Sequence, residues 1–195
     1  MGNLGSVQNM FRRIGVESEI CSEASGIAKA TKLLLPGVGA FDAAMERIES
    51  SGLKEVMDEK VLTEKIPTLG ICLGMQLLTE GSEEGILPGL GWLPAKSYKF
   101  HFPDGSKLKI PHMGWNRVYV KKESPLIKDL PEEPRFYFVH SYYIKCENEE
   151  DVLTVTPYGN DFHSIVQRGN VYGAQFHPEK SHKFGMKLLE NFARL

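Results

Sequence analysis

Nothing in the chain would cross a membrane as a helix: no apolar run approaches the ~20 residues that a spanning segment needs. No stretch reads as a signal peptide. Neither sign of charge is in excess. The 23 Lys and Arg against 25 Asp and Glu leave a formal net charge of −2, so nothing calls for nucleic acid or an anionic membrane as partner. Cysteine is scarce. Cys21, Cys72 and Cys146 are odd in number and lack the spacing of a metal site. That argues against a disulfide framework and for a reducing compartment, with Cys21 and Cys146 expected to be buried and inert. A His177/His182 metal pair is disfavoured because Pro178 blocks a shared helical face. Met1-Gly2-Asn3-Leu4-Gly5-Ser6 formally matches a myristoylation pattern, read here as coincidence. One acyl chain anchors weakly, and only Arg12 and Arg13 lie nearby to supplement it. What remains is a globular composition and a length that fits one domain, residues 1–195, with a sizeable core.

The stretch that stands out is Gly70-Ile71-Cys72-Leu73-Gly74-Met75-Gln76. Before it, Ile66-Pro67-Thr68-Leu69-Gly70-Ile71 is an apolar run of the kind that forms a short buried strand. After it, Leu73, Met75, Gln76, Leu77 and Leu78 begin a helix. Cys72 therefore falls at a strand-to-helix turn with Gly two residues to either side. This is the small-x-nucleophile-x-small spacing of a nucleophile elbow, with Cys in place of Ser. Glycine at those places lets the backbone turn sharply and lets neighbours come close. The turn also sets the thiol at the positive end of a helix dipole, where an anion is favoured. The heptapeptide alone fits a buried, inert cysteine equally well, since free Cys is among the most buried residue types.

The far end of the chain tips the balance. Val171-Tyr172-Gly173-Ala174-Gln175-Phe176 reads as a strand and runs into His177-Pro178-Glu179-Lys180-Ser181. A cysteine nucleophile needs a base, and the base needs an orienting group. His177 can be that base, and Glu179 can accept a hydrogen bond from its other ring nitrogen. Cys, His and Glu at strand ends suit an open α/β sheet, where sites gather at the carboxyl ends of strands. Pro36-Gly37-Val38-Gly39 follows a third strand, Lys32–Leu35, and is either a simple turn or an oxyanion loop. Acyl transfer from a carboxamide passes through a tetrahedral oxyanion that needs aligned N–H donors. Leu73 would supply one, and Val38 or Gly39 the other. Met113 and Trp115, with few charges around them, suit either ordinary core or an interface.

Together with Pro36-Gly37-Val38-Gly39-Ala40-Phe41, Pro111-His112-Met113-Gly114-Trp115-Asn116, Val139-His140-Ser141-Tyr142-Tyr143 and Pro178-Glu179-Lys180-Ser181, these motifs resemble the class I (triad) glutamine amidotransferases. Within them they resemble the glutaminase subunits of imidazole glycerol phosphate synthases, from histidine biosynthesis. The resemblance spans residues 1–195. It implies a single-domain, flavodoxin-like α/β fold: a mostly parallel mixed sheet with helices on both faces. It implies glutamine hydrolysis to glutamate and ammonia by Cys72, His177 and Glu179, with no metal or organic cofactor. Val38, Gly39 and Leu73 would form the oxyanion hole, in a loop that can flip and complete the hole on activation. Gly37, Gly74, Gln76, Ser141 and Tyr142 would hold glutamine. The implied partner is a (β/α)8-barrel cyclase subunit in a cytoplasmic heterodimer, met by Asn3, Met113, Trp115, Asn116 and Lys180. Other readings stay open: the same glutaminase feeding a synthase of surface sugars, a catalytically silent binding module, or, more weakly, a free-standing γ-glutamyl hydrolase.

The rest of the pattern predicts a helix from Asn3 to Ile14 with Leu4, Val7, Phe11 and Ile14 as its apolar stripe, and a short strand from Val16 to Cys21. Amphipathic helices follow over Phe41–Ile48 and Leu53–Leu62. A hairpin is expected between Tyr98–Phe100 and Leu108–Ile110 around Pro103-Asp104-Gly105. Arg135–Val139 and a Phe162–Gln167/Val171–Phe176 hairpin supply further strands. Ser181 is expected to cap a final helix with Phe184, Leu188, Leu189 and Phe192 inward. His140 has no adjacent carboxylate and is not expected to be a base. Relatives open with a strand leading into Asp-Tyr-Gly-x-Gly-Asn, whereas this chain begins at Met1-Gly2-Asn3. The native protein is therefore expected to carry roughly ten more residues, one strand of ordinary length. Without that strand the stripe of the first helix should be poorly covered.

Overall fold

The computed structural model describes residues 4–195, so the expectation for Asn3 lies outside the described residues. The chain opens with helix α1 (Leu4–Arg13), a short α2 (Ala24–Ala28) and strand β1 (Leu33–Gly37). Helices α3 (Phe41–Ser50) and α4 (Leu53–Asp58) follow, the latter continued by a π-helical turn, Glu59–Thr63. Strand β2 (Thr68–Cys72) leads without a break into α5 (Leu73–Leu77). Then come β3 (Ala95–Lys99), β4 (His112–Arg117), β5 (Tyr119–Val120), β6 (Arg135–His140), β7 (Tyr142–Cys146), β8 (Val152–Tyr158), β9 (Asn160–Arg168) and β10 (Val171–Ala174). A 3-10 turn, Pro178–Lys180, and helix α6 (His182–Ala193) complete the order.

Six strands form one mixed sheet in the order β1-β2-β10-β9-β8-β5. β1 and β10 flank β2 in parallel, and the ladders from β10 outward are antiparallel. The parallel part thus carries the cysteine, and its strands point their carboxyl ends at one rim. β2 is buried at every position, as a strand covered on both faces must be. Leu69 and Ile71 join Val7, Met10 and Phe11 of α1 and Phe184, Leu188 and Leu189 of α6 in one apolar core. Gly70, on the alternate face, lies against the Gly74–Met75 backbone of α5. A second core there joins Met75, Leu77 and Leu78 with Phe41, Met45 and Met57 from α3 and α4. Two further ladders, β3-β7 and β4-β6, stand beside the main sheet.

The stripe of α1 is covered only in part: Leu4, Val7 and Phe11 line an open groove with Val16, Ile20 and Leu34, beside the sheet edge at β1. Val7 and Phe11 are buried in the α6 core, and Leu4 and Ile14 are half-buried. Val16–Cys21 forms no strand: it has no ladder partner among the described residues, most of it is exposed, and Cys21 is exposed with it rather than buried. Cys146, by contrast, is buried, and burial pushes its thiol up to about 12. The expected hairpin around Pro103-Asp104-Gly105 does not pair. β3 ladders instead with β7, setting Tyr98 opposite Tyr143 and Ser97 opposite the fully buried Ile144. That non-local pairing buries more apolar surface than Leu108–Ile110, which is exposed, could offer. Ser181 makes no cap to α6. Its hydroxyl donates to His177 O at 2.7 Å and accepts from Tyr137 N at 3.0 Å, tying the turn after β10 to β6. Among the described residues no helix is long and apolar enough to cross a membrane.

Candidate active site

β2 ends at Cys72 with φ 55° and ψ −111°, a backbone region that residues with side chains rarely enter. Such strain costs about 1–3 kcal/mol and persists only where surrounding structure over-determines it. Two backbone approaches do so here. A Cβ on Gly70 would lie 2.6 Å from Gly74 O, and a Cβ on Gly74 would lie 1.7 Å from Leu35 O. Only glycine lets the elbow and β1 touch this closely. Gly37 is opposite Cys72 in the β1–β2 ladder. A Cβ there would meet Gly74 N at 2.9 Å. The parallel ladder therefore delivers the Pro36-Gly37-Val38-Gly39 loop beside the cysteine. Val38 is exposed, and Gly39 sits at φ 114°.

His177 follows β10, next to β2 in the sheet. Its backbone N–H donates to Tyr137 O at 2.9 Å. Its Nδ1 lies 2.8 Å from Glu179 Oε1. In the neutral ring the nitrogen facing the carboxylate holds the hydrogen and Nε2 is the acceptor. Nε2 is buried and has no hydrogen-bond partner among the described residues. Burial by itself lowers the pKa of this ring, but interactions with Cys72 and Glu179 outweigh it and raise it to about 9. The Cys72 sulfur lies 3.8 Å from Gln175 Nε2 and 3.9 Å from Val139 O. A buried thiol, a buried imidazole able to hold the thiol's proton on Nε2 and a buried carboxylate behind it form the parts of a nucleophile–base–orienter set.

A sequence model described as glutamine amidotransferase class-I matches residues 3–195. The chain belongs to the class I glutamine amidotransferase family. An imidazole glycerol phosphate synthase subunit HisH 2 of Methanococcus maripaludis is 54% identical over 194 residues, covering all of this chain and 95% of that protein. The protein of the same description from Pseudomonas aeruginosa is 48% identical over 195 residues, covering all of this chain and 96% of its own. Among solved structures, a glutamine amidotransferase superposes with a TM-score of 0.72 at 18% identity, covering all of this chain and 95% of that one. A glutamine amidotransferase from Thermotoga maritima superposes with a TM-score of 0.63 at 18% identity, over 91% of this chain and 70% of that one. At those identities the structures speak for the fold alone.

In this amidotransferase, the residues expected around the substrate come together unevenly. Gln76 Nε2 donates to Tyr142 O at 3.2 Å and to Gln175 Oε1 at 3.4 Å. Ser141 immediately precedes Tyr142, and its carbonyl accepts from Phe100 N at 3.1 Å. Met113 and Trp115 are 62% and 45% exposed on one face of β4. Trp115 stacks on His182 and meets the Tyr137 ring edge-on, and Lys180 lies over that same ring, so Trp115 and Lys180 gather beside the His177 turn. Asn116 turns inward instead: its side chain bonds Pro157 O and Arg117 N and reaches His112. Sequence reasoning missed Gln175, fully buried between Cys72 and Gln76. A polar residue inside an otherwise apolar strand was its only signal. It also missed Glu83 and Glu84, whose carboxylates lie close enough to add to burial in raising the Tyr142 hydroxyl.

Proposed function

We propose that this chain, as one domain, hydrolyses glutamine to glutamate and ammonia and passes the ammonia to the cyclase subunit of an imidazole glycerol phosphate synthase. The observation that carries the chemistry is the strained Cys72 elbow facing a buried His177 whose Nδ1 is held by Glu179 at 2.8 Å. His177 Nε2 takes the thiol proton, and the sulfur attacks the side-chain amide carbon. The oxyanion meets Leu73 N–H and the N–H of Val38 or Gly39. Collapse expels ammonia on the proton returned by His177, and a water activated by His177 then hydrolyses the γ-glutamyl thioester. No step calls on a metal or an organic cofactor. Gln76 spends its amide hydrogens on Tyr142 O and Gln175 Oε1. Its Oε1 is thereby left for the substrate's ammonium, with Gly37, Gly74, Ser141 and Tyr142 lining the same place.

The relatives are named as subunits of a synthase, which supports a separate cyclase chain as partner. We take that partner to be a (β/α)8 barrel in a cytoplasmic heterodimer, docked on Met113, Trp115 and Lys180. β4 pairs residue for residue with β6, Met113 opposite Val139 and Trp115 opposite Tyr137. The carbonyls of those two β6 residues face Cys72 Sγ and accept from His177 N. Pressure on the exposed side of β4 is thus one ladder away from both catalytic groups, which supports a glutaminase switched from its interface. The test is co-purification with the cyclase subunit and a glutaminase assay. Activity should be low in the isolated chain and rise strongly in the complex with its ligand bound. Equal rates would overturn the coupling, and ammonia passed to a different synthase would overturn the pathway.

A further inference from the structure

His112 and His140 are directly opposite in the β4–β6 ladder, and the catalytic scheme uses neither. Both are buried, at 3% and 5% exposure. His112 Nδ1 lies 3.0 Å from His140 Nε2, and His140 Nδ1 lies 2.8 Å from Tyr142 O. Their tautomers follow by elimination. A carbonyl can only accept, so His140 Nδ1 carries a hydrogen and its Nε2 is an acceptor. His112 must then donate from Nδ1, which leaves its own Nε2 to accept. The group offered to it is Asn116 Nδ2, at 3.3 Å. The Asn116 amide is oriented independently, because its Oδ1 accepts from Arg117 N at 2.9 Å. One direction of donation therefore runs from Asn116 through both rings to the Tyr142 carbonyl.

The relay does not stop there. Tyr142 O also accepts from Gln76, Gln76 donates to Gln175, and Gln175 Nε2 approaches Cys72 Sγ at 3.8 Å. Aromatic rings wall the imidazole pair. Tyr158 and Phe138 stack on His112, and Phe100 and Phe162 lie 5.3 and 5.1 Å from His140. Aromatic walls lower the local dielectric and so strengthen each bond. A second proton on either ring would set two N–H groups against each other, so the box and the network both demand neutral imidazoles. Burial does hold both well below the usual histidine value, to about 4 for His112 and about 3 for His140.

We propose that His112 and His140 are positioning residues: a neutral, one-directional hydrogen-bond relay that transmits the placement of strand β4 to the Tyr142 carbonyl and the Gln76 amide, and so sets the glutamine pocket. The relay rests on the glutaminase reading above. β4 suits the task because its outward side chains, Met113 and Trp115, are those assigned to the partner, while its inward ones, His112 and Asn116, head the relay.

Two measurements decide it. The first is nitrogen NMR of the imidazoles in the intact chain at pH 7. Both rings should show a protonated Nδ1 and a bare Nε2, and an Nε2–H tautomer on either ring would overturn the relay whatever the enzyme does. The second is kinetics of the complex with the cyclase subunit, where the wild type first has to hydrolyse glutamine. A silent wild type would fail the glutaminase reading instead, independently of the NMR result. His140→Leu should raise the glutamine KM about tenfold or more, with a smaller change in kcat. His140→Asn can still donate to Tyr142 O from Nδ2 and should recover most of that loss. For His112, Asn keeps the donor to His140 and should behave much as wild type, whereas His112→Phe should raise KM as His140→Leu does. If Asn and Leu at position 140 give the same KM, or if His112→Phe leaves KM unchanged, the rings only fill space and the proposal fails. His112→Asn removes one bond while keeping a buried donor, which guards the test against a variant that merely fails to fold.

Discussion

Gly74→Ala tests the packing that holds the elbow. The new Cβ would lie 1.7 Å from Leu35 O and 2.8 Å from Leu35 C, backbone atoms of a strand paired with Gly70. An ordinary carbon–oxygen contact is about 3.3–3.6 Å, so β1 and α5 must separate by roughly 1.6–1.9 Å. No side chain can swing away to avoid this. Overpacking of a well-fitted interior costs about 1–3 kcal/mol. In a protein of this size that lowers Tm by about 2–4 °C per kcal/mol. The catalytic cost should be larger, because the displaced strand carries the Val38–Gly39 loop. Misplacing reacting groups by about 1 Å costs on the order of 10²-fold, as does loss of one oxyanion donor. The assay is glutamine-dependent ammonia release by the complex, alongside thermal melting and synthase turnover on free ammonium. Gly81→Ala is the control, since a Cβ there meets only Leu87 O at 3.9 Å. Gly74→Ala should drop kcat about 100-fold and Tm by several degrees, with ammonium-dependent turnover intact. Wild-type melting and kcat in Gly74→Ala would refute the account of why the elbow needs glycine.

Stability should peak near pH 6.5, for reasons of opposite sign. His112 and His140 are depressed to about 4 and about 3, so their contribution is full above pH 6.5 and is lost as pH falls, by about 2 kcal/mol per ring at pH 5. His177 is raised to about 9, so its contribution is full below pH 6.5 and fades as pH rises towards 9. Urea midpoints across pH 5–9 check both limbs, and His112→Phe should remove about half of the acid one, leaving the His140 share. Glu179→Gln should lower kcat by on the order of 10²–10⁴ with KM little changed, because the orienting carboxylate behind His177 Nδ1 is gone. Trp115→Ala should weaken cyclase binding by about 2 kcal/mol, roughly thirtyfold by titration calorimetry, without altering the melting of the isolated chain.

Local chemistry was legible in the sequence; pairing across distance was not. The elbow could be read because glycine spacing, an apolar strand and a helical run all fall within a dozen residues. His177 and Glu179 could be read because two positions separate a base from its orienter. α6 showed its apolar stripe plainly, yet Ser181 gave a false capping signal, since its hydroxyl serves His177 O and Tyr137 N instead. β3 pairing with β7 joins residues more than forty positions apart. Nothing local favours that over a hairpin at Pro103-Asp104-Gly105; buried Ile144 and Cys146 do. The His112–His140 contact has the same cause: it exists only once the β4–β6 register sets the two rings opposite each other. Val16–Cys21 has the composition of a strand but no neighbour to ladder with among the described residues, and Cys21 is exposed.

The central claim is that Cys72 forms a γ-glutamyl thioester with His177 as its proton acceptor. Rapid quenching of the cyclase complex during glutamine turnover, followed by peptide mass analysis, tests it most directly. The Cys72 peptide should carry a glutamyl group that vanishes when glutamine is exhausted. His177→Ala should fail to form it, and Cys72→Ala should release no ammonia from glutamine while the cyclase still turns over on ammonium. An unmodified Cys72 peptide in an actively hydrolysing complex, or ammonia released from glutamine by Cys72→Ala above a no-enzyme control, would contradict the account.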